Sequence, residues 1–125
     1  MARIILLLFI HVLGDYVLQW KKLSNEKSSD LLKLLLHVGI YTAVLVVLSP
    51  FALGLSITQG LVFSLFNGVT HLIIDFIAGK LKIQYAKKND TAYYATIATD
   101  FILHISILIG SYIYLYPEAF NSISG

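Results

Sequence analysis

LLKLLLHVGIYTAVLVVLS, residues 31–49, is a run of 19 residues with a single charge, Lys33, and a single imidazole, His37. A helix needs about 20 predominantly apolar residues to cross a hydrocarbon core roughly 30 Å thick. Three further stretches have the same character. Together they predict an all-α integral membrane four-helix bundle: a single transmembrane domain over 1–125, with helices at about Ala2–Trp20, Leu31–Ser49, Thr58–Ala78 and Tyr93–Tyr116. Helices are the default because each closes its own backbone hydrogen bonds, and four spans are too few for a barrel. Asp30 is placed as an N-cap. Pro50 and Gly54 are expected to break the chain after the second span, and Lys87-Lys88-Asn89-Asp90 to separate the third from the fourth.

Composition agrees. The chain has 125 residues, of which 58% are hydrophobic and 13% charged, and its mean hydropathy is +0.80. A soluble domain of this size has too little interior to hide so much apolar surface, so a lipid bilayer is its expected partner. The net charge of +2 comes from lysine-rich loops. It therefore speaks for orientation in a membrane and against nucleic acid as a partner. With no cysteine present, imidazole and carboxylate are the metal ligands on offer. Ile4–Ile10 superficially resembles a signal peptide, but it lacks a small-x-small cleavage site and runs on into His11 and Asp15, so a retained helix is expected.

Lysines set the orientation. Lys21, Lys22, Lys27 and Lys33 surround the first turn, while Lys80, Lys82, Lys87 and Lys88 populate the third. The positive-inside rule then puts both loops in the cytoplasm and both termini on the outer side of the membrane. Trp20, Tyr85, Tyr93 and Tyr94 would form the inner aromatic belt, and Tyr112, Tyr114 and Tyr116 the outer one.

All four histidines lie inside the apolar spans, and three are paired with an aspartate four residues away: His11 with Asp15, His71 with Asp75, and in reversed order Asp100 with His104. Residues at i and i+4 share a helix face. With a rise of about 1.5 Å per residue, the aspartates lie roughly 5–11 Å and the histidines roughly 9–17 Å below the cytoplasmic helix ends. The reversed order on the fourth helix is what convergence demands, because that helix runs opposite to the first and third. Ionisable groups persist at membrane depth when they face each other, water or an ion. His11, Asp15, His37, His71, Asp75, Asp100 and His104 are therefore the candidate metal ligands. Seven such groups exceed what one tetrahedral ion needs and suit two ions sharing a carboxylate. Zinc is the first choice for an imidazole-rich set, with manganese or iron as alternatives. Gln19, Asn67 and Thr96 extend the stripes as supporting groups. Gly14, Gly39, Gly68 and Gly110 are read as sites of close helix approach.

HVLGDYVLQ, LLLHVGIYT, THLIIDF and TDFILH together resemble a small bacterial and phage inner-membrane family known as domain of unknown function 3307. The resemblance runs from His11 to His104. By that likeness His11, Asp15, Gln19, His37, His71, Asp75, Asp100 and His104 match the family's polar positions. Two positions depart from its pattern: Phe101 stands where the family has Gln, and the lysine after the third-helix aspartate comes only at Lys80. The motifs are more distantly similar to membrane-bound metal-dependent hydrolases. The resemblance bears on the site more than on any reaction; it is the pair of ions sharing a carboxylate that suits hydrolysis of a lipid or lipid-linked phosphate ester reached from the cytoplasmic leaflet, with Asp15 or Asp75 serving as general base instead of ligand. Two other classes compete: an ion, proton or metal transporter or channel, and a phage-type effector in which the metal is only a staple and oligomerisation supplies the working surface. A transporter needs polar residues continuing to the outer face, where Ser49, Gln59 and Ser111 are the main candidates.

Overall fold

The computed structural model describes residues 1–20, 23 and 26–122. Lys21, Lys22, Ser24 and Asn25 of the first loop lie outside the described residues, as do residues 123–125. The described residues are helical without strands. Helix α1 spans Ala2–Val12 and passes directly into a π-helical turn, Leu13–Val17. Helices α2 (Leu31–Leu53), α3 (Ile57–Tyr85) and α4 (Asp90–Leu115) follow, and a short α5, Pro117–Asn121, ends the described chain.

Three helices, α2, α3 and α4, are long and apolar enough to cross a membrane. The first segment, expected to be one helix over Ala2–Trp20, is shorter. Its α and π parts cover 16 residues, or about 24 Å at the α-helical rise. The cause lies in the hydrogen-bond ladder, which widens at Leu13 so that the Leu18 amide bonds to the Leu13 carbonyl at 3.1 Å, five residues back.

Two other boundaries move. Pro50 does not break α2, which runs on to Leu53. The left-handed Gly54 (φ 68°) is the actual stop, its amide bonded to the Pro50 carbonyl. The proline removes one bond of the ladder, the one its amide would make to the Val46 carbonyl, and the helix continues past it for one turn. Helix α3 continues to Tyr85, which carries Lys80 and Lys82 on its final turns and not in a loop. Side-chain caps begin the long helices: Asp30 accepts from the Leu32 and Lys33 amides, Ser56 and Gln59 form a reciprocal capping box, and Asn89 accepts from the Ala92 amide.

Helix α3 packs between α2 and α4, and α1 lies against α2. At the end away from the lysines, Leu7, Leu45, Leu53, Phe63, Leu108 and Tyr112 form a fully buried apolar core. Large apolar side chains such as Phe9, Leu32, Phe51 and Ile57 point outward, each more than two-thirds exposed. That outward face is the one lipid would cover. Of the glycines expected at close contacts, Gly68 and Gly14 are there: a Cβ on Gly68 would lie 2.3 Å from Thr42 Oγ1, and one on Gly14 3.2 Å from the Tyr41 ring. Gly39 and Gly110 are not, for among the described residues no neighbouring atom lies within 4 Å of a Cβ at either.

Candidate metal centre

The bundle brings all seven predicted ligands together in its lysine-bearing half. His11 comes from α1, Asp15 from the π turn, His37 from α2, His71 and Asp75 from α3, and Asp100 and His104 from α4. Six of the seven are buried; Asp100 is half-buried at the edge.

Four ligand atoms form a tight group. His37 Nε2 lies 3.0 Å from Asp15 Oδ1, 3.3 Å from Asp75 Oδ2 and 3.1 Å from His71 Nε2. His71 Nε2 lies 3.5 Å from Asp15 Oδ1 and 3.6 Å from Asp75 Oδ2. Asp15 Oδ1 and Asp75 Oδ2 are buried and close to these nitrogens, yet neither is aligned for a hydrogen bond. Buried polar atoms left unpaired are costly, and here they share a common focus. These five separations, 3.0–3.6 Å, are short enough for one ion to touch all four atoms. Calcium, at roughly 2.3–2.6 Å with six or more oxygens, does not suit this set. The group could hold a metal ion.

Asp75, Asp100 and His104 make a second group. Asp75 uses its other oxygen here, with Oδ1 at 3.4 Å from His104 Nε2, while His104 Nδ1 is 3.1 Å from Asp100 Oδ1. Asp75 thus faces both groups, as a shared carboxylate must. His11 belongs to neither. Its Nε2 is 3.6 Å from Asp15 Oδ2 and its Nδ1 is 3.3 Å from the Tyr41 hydroxyl. Tyr41 also stacks on His71, with centroids 4.1 Å apart and rings 12° from parallel. It orients two imidazoles at once, a supporting role common around metal sites. Sequence reasoning missed Tyr41, although its position four residues after His37 puts it on the same face.

Of the supporting residues, Gln19 does reach the site's cavity, with a buried and unpaired Oε1. Asn67 lies about a turn away from His71 and donates to Ser111 Oγ at 3.0 Å and to the Phe63 carbonyl, so it joins α3 to α4. Thr96 bonds to its own helix at the Ala92 carbonyl and stays out of the cluster. Two lysines were read only as topology markers and turn out to border the site. Lys27 Nζ is 3.3 Å from Asp75 Oδ2, and Lys82 Nζ is 2.8 Å from Asp100 Oδ2. No sequence signal separates Lys27 from its neighbour Lys33; only the fold does.

The cluster is open on one side. A cavity of about 770 Å³ reaches it, lined among others by Asp15, Asp75, Tyr16, Gln19, Lys27 and Lys82. The family model described as "Protein of unknown function (DUF3307)" matches residues 4–124. The chain belongs to the DUF3307 family. That span takes in every one of the seven ligand-type residues, so the DUF3307 match and the buried cluster describe the same unit. No curated protein and no solved structure matches the chain.

Proposed function

We propose that this DUF3307 protein is a membrane-embedded, metal-dependent hydrolase that acts on a lipid or lipid-linked phosphate ester. One observation carries the reading: the His/Asp cluster opens into the 770 Å³ cavity. Structural metal sites are closed by protein ligands, whereas catalytic ones keep a position for water or substrate. His37, His71, Asp15 and Asp75 would hold one zinc ion, and Asp75, Asp100 and His104 a second. When bound, such ions acidify water and polarise a phosphoryl oxygen.

Between the two aspartates expected as base, Asp15 is the better placed. Its Oδ1 faces the tight group, while its Oδ2 lies 3.6 Å from His11 Nε2, itself held by Tyr41. Both oxygens of Asp75 face ligand groups. Tyr16, Ile97 and Phe101 border the cavity between α1 and α4 and are each at least one-third exposed, which suits entry of an apolar substrate from the side.

In this reading the lysine loops face the cytoplasm of a bacterial cell and the termini the opposite side. In the same reading the first segment, Ala2–Val17, serves as the fourth membrane helix. A transporter would need the polar path to continue. Ser49, Ser64, Asn67 and Ser111 do extend inward from the site, but Ser64, Asn67 and Ser111 bond to their own helices. Gln59 is spent in the α3 cap. Leu53, Phe63 and Tyr112 close the far end, with the Tyr112 hydroxyl donating to the Leu53 carbonyl.

The test is phosphate release from phosphatidic acid and from polyprenyl diphosphate in mixed micelles, by zinc-loaded protein and by Asp15→Asn. Release by the wild type that is lost in the variant is expected. Metal-loaded protein that releases phosphate from neither lipid would overturn the assignment.

A further inference from the structure

Lys27 has no place in the hydrolytic reading above, yet it touches the centre of the site. Its Nζ lies 3.2 Å from His37 Nε2, 3.3 Å from Asp75 Oδ2 and 3.9 Å from Asp15 Oδ1, against three of the four atoms of the tight group. The placement is built into the packing. Ser28 presses onto α3 at Gly79, where a Cβ would meet the Ser28 backbone and side chain at 3.2 Å. Gly79 is one turn beyond Asp75, so this contact draws the loop down over the carboxylates. Across the same cavity Lys82 holds Asp100.

An ammonium and a divalent cation compete for such a position. Both seek Asp15 and Asp75, and at a few ångströms they repel strongly in the low effective dielectric of a protein interior. Lysine carries its charge on a flexible four-carbon stem, and the cavity gives that stem room to move. We propose that Lys27 and Lys82 form a binding site for a phosphate-class oxyanion, and that the site is assembled when a divalent cation takes the place of Lys27 on the carboxylates. Before loading, Lys27 offsets part of the charge of the two aspartates and is not free to meet an anion. After loading, its ammonium turns into the cavity. Lys82 stays on Asp100 Oδ2, since the second group meets Oδ1, and its remaining N–H donors are available to an anion in the cavity. Metal therefore binds first and the oxyanion second. The proposal rests on the metal reading above and names what the cavity recognises. A lipid phosphate headgroup and free phosphate share this chemistry.

The experiment uses the full chain in neutral detergent with cobalt(II), whose visible bands report tetrahedral binding. Lys27→Met should bind cobalt about tenfold more tightly than the wild type, because a tethered competitor has gone. Lys27→Arg should stay near the wild type, and Lys33→Met, whose side chain makes no contact with the ligands, should be unchanged. On the cobalt-loaded protein, inorganic phosphate or phosphatidic acid doped into the micelles should shift the bands. Lys27→Met should then need about tenfold more of the anion. A response to phosphatidic acid alone identifies a lipid headgroup, and a response to inorganic phosphate alone a soluble one; either supports the site. If the wild type binds cobalt and Lys27→Met binds no more tightly, the displacement is wrong while the metal centre stands. If neither binds cobalt, both readings fall. An anion response indifferent to Lys27→Met removes the oxyanion site.

Discussion

Replacing Asp75 by asparagine tests the shared-carboxylate arrangement more sharply than any other single change. The two side chains have the same shape, so packing is preserved and chemistry alone changes. Asp75 Oδ2 faces Lys27 and His37 at 3.3 Å and His71 at 3.6 Å, while Oδ1 faces His104 at 3.4 Å. Asparagine puts an N–H donor at one of these corners and removes the charge from both. Losing a group that only supports a ligand costs about 10–100-fold in metal affinity, so losing the ligand itself should cost at least about 100-fold, or roughly 2.7 kcal/mol, for each ion. The metal-free protein should be weakened by only about 1–3 kcal/mol, less than for a fully buried pair, because Lys27 keeps Asp15 as a partner and can swing toward water. The assay is zinc titration with elemental analysis of the purified protein, alongside helix content. Asp75→Asn should lose both ions, His37→Ala the one in the tight group, and His104→Ala the other. An Asp75→Asn protein that keeps one ion at wild-type affinity would refute the shared carboxylate and leave a single centre.

Asp15→Asn and Asp100→Asn should leave folded, membrane-inserted protein while abolishing activity; if both disappear from the membrane fraction, the metal is a staple and the enzyme reading fails. Among the glycines, Gly60→Ala would drive a Cβ to 2.5 Å from the Pro50 ring. Overpacking of that kind costs about 1–3 kcal/mol, whereas Gly110→Ala, in open space, should gain about 0.5–1 kcal/mol from helix propensity. Unfolding in mixed micelles should show the opposite signs, and equal shifts would contradict the α2–α3 contact. Cysteines at Ser29 and Ser122 should react with membrane-impermeant reagent from opposite faces of the membrane; labelling from one face only would overturn the topology.

The convergence of the seven ligand-type side chains was legible because it rests on arithmetic the chain displays openly: i, i+4 pairs, their depth, and the reversed order on α4. The helix count was legible for α2, α3 and α4, whose hydropathy is unbroken. What hydropathy cannot reveal is a change of hydrogen-bond register, and so the π turn at Leu13–Val17 was invisible. Pro50 misled because a proline removes one ladder bond without obliging the helix to stop. Lys27 was unreadable for another reason. Its role depends on Ser28 meeting Gly79, a contact between residues far apart in sequence.

The π turn also has a bearing on how this chain can vary. A π turn is an α-helix carrying one residue too many, and it persists where the extra residue has a use. Removing a single residue from Leu13–Val17 would let the ladder close into a plain α-helix and would rotate Asp15 out of the cluster or change which residue stands there. Such a deletion should give a protein that resists unfolding better than its parent and yet has lost a corner of its tight ligand group. In a library of one-residue deletions, selection for robustness and selection for chemistry would therefore part company at these five positions.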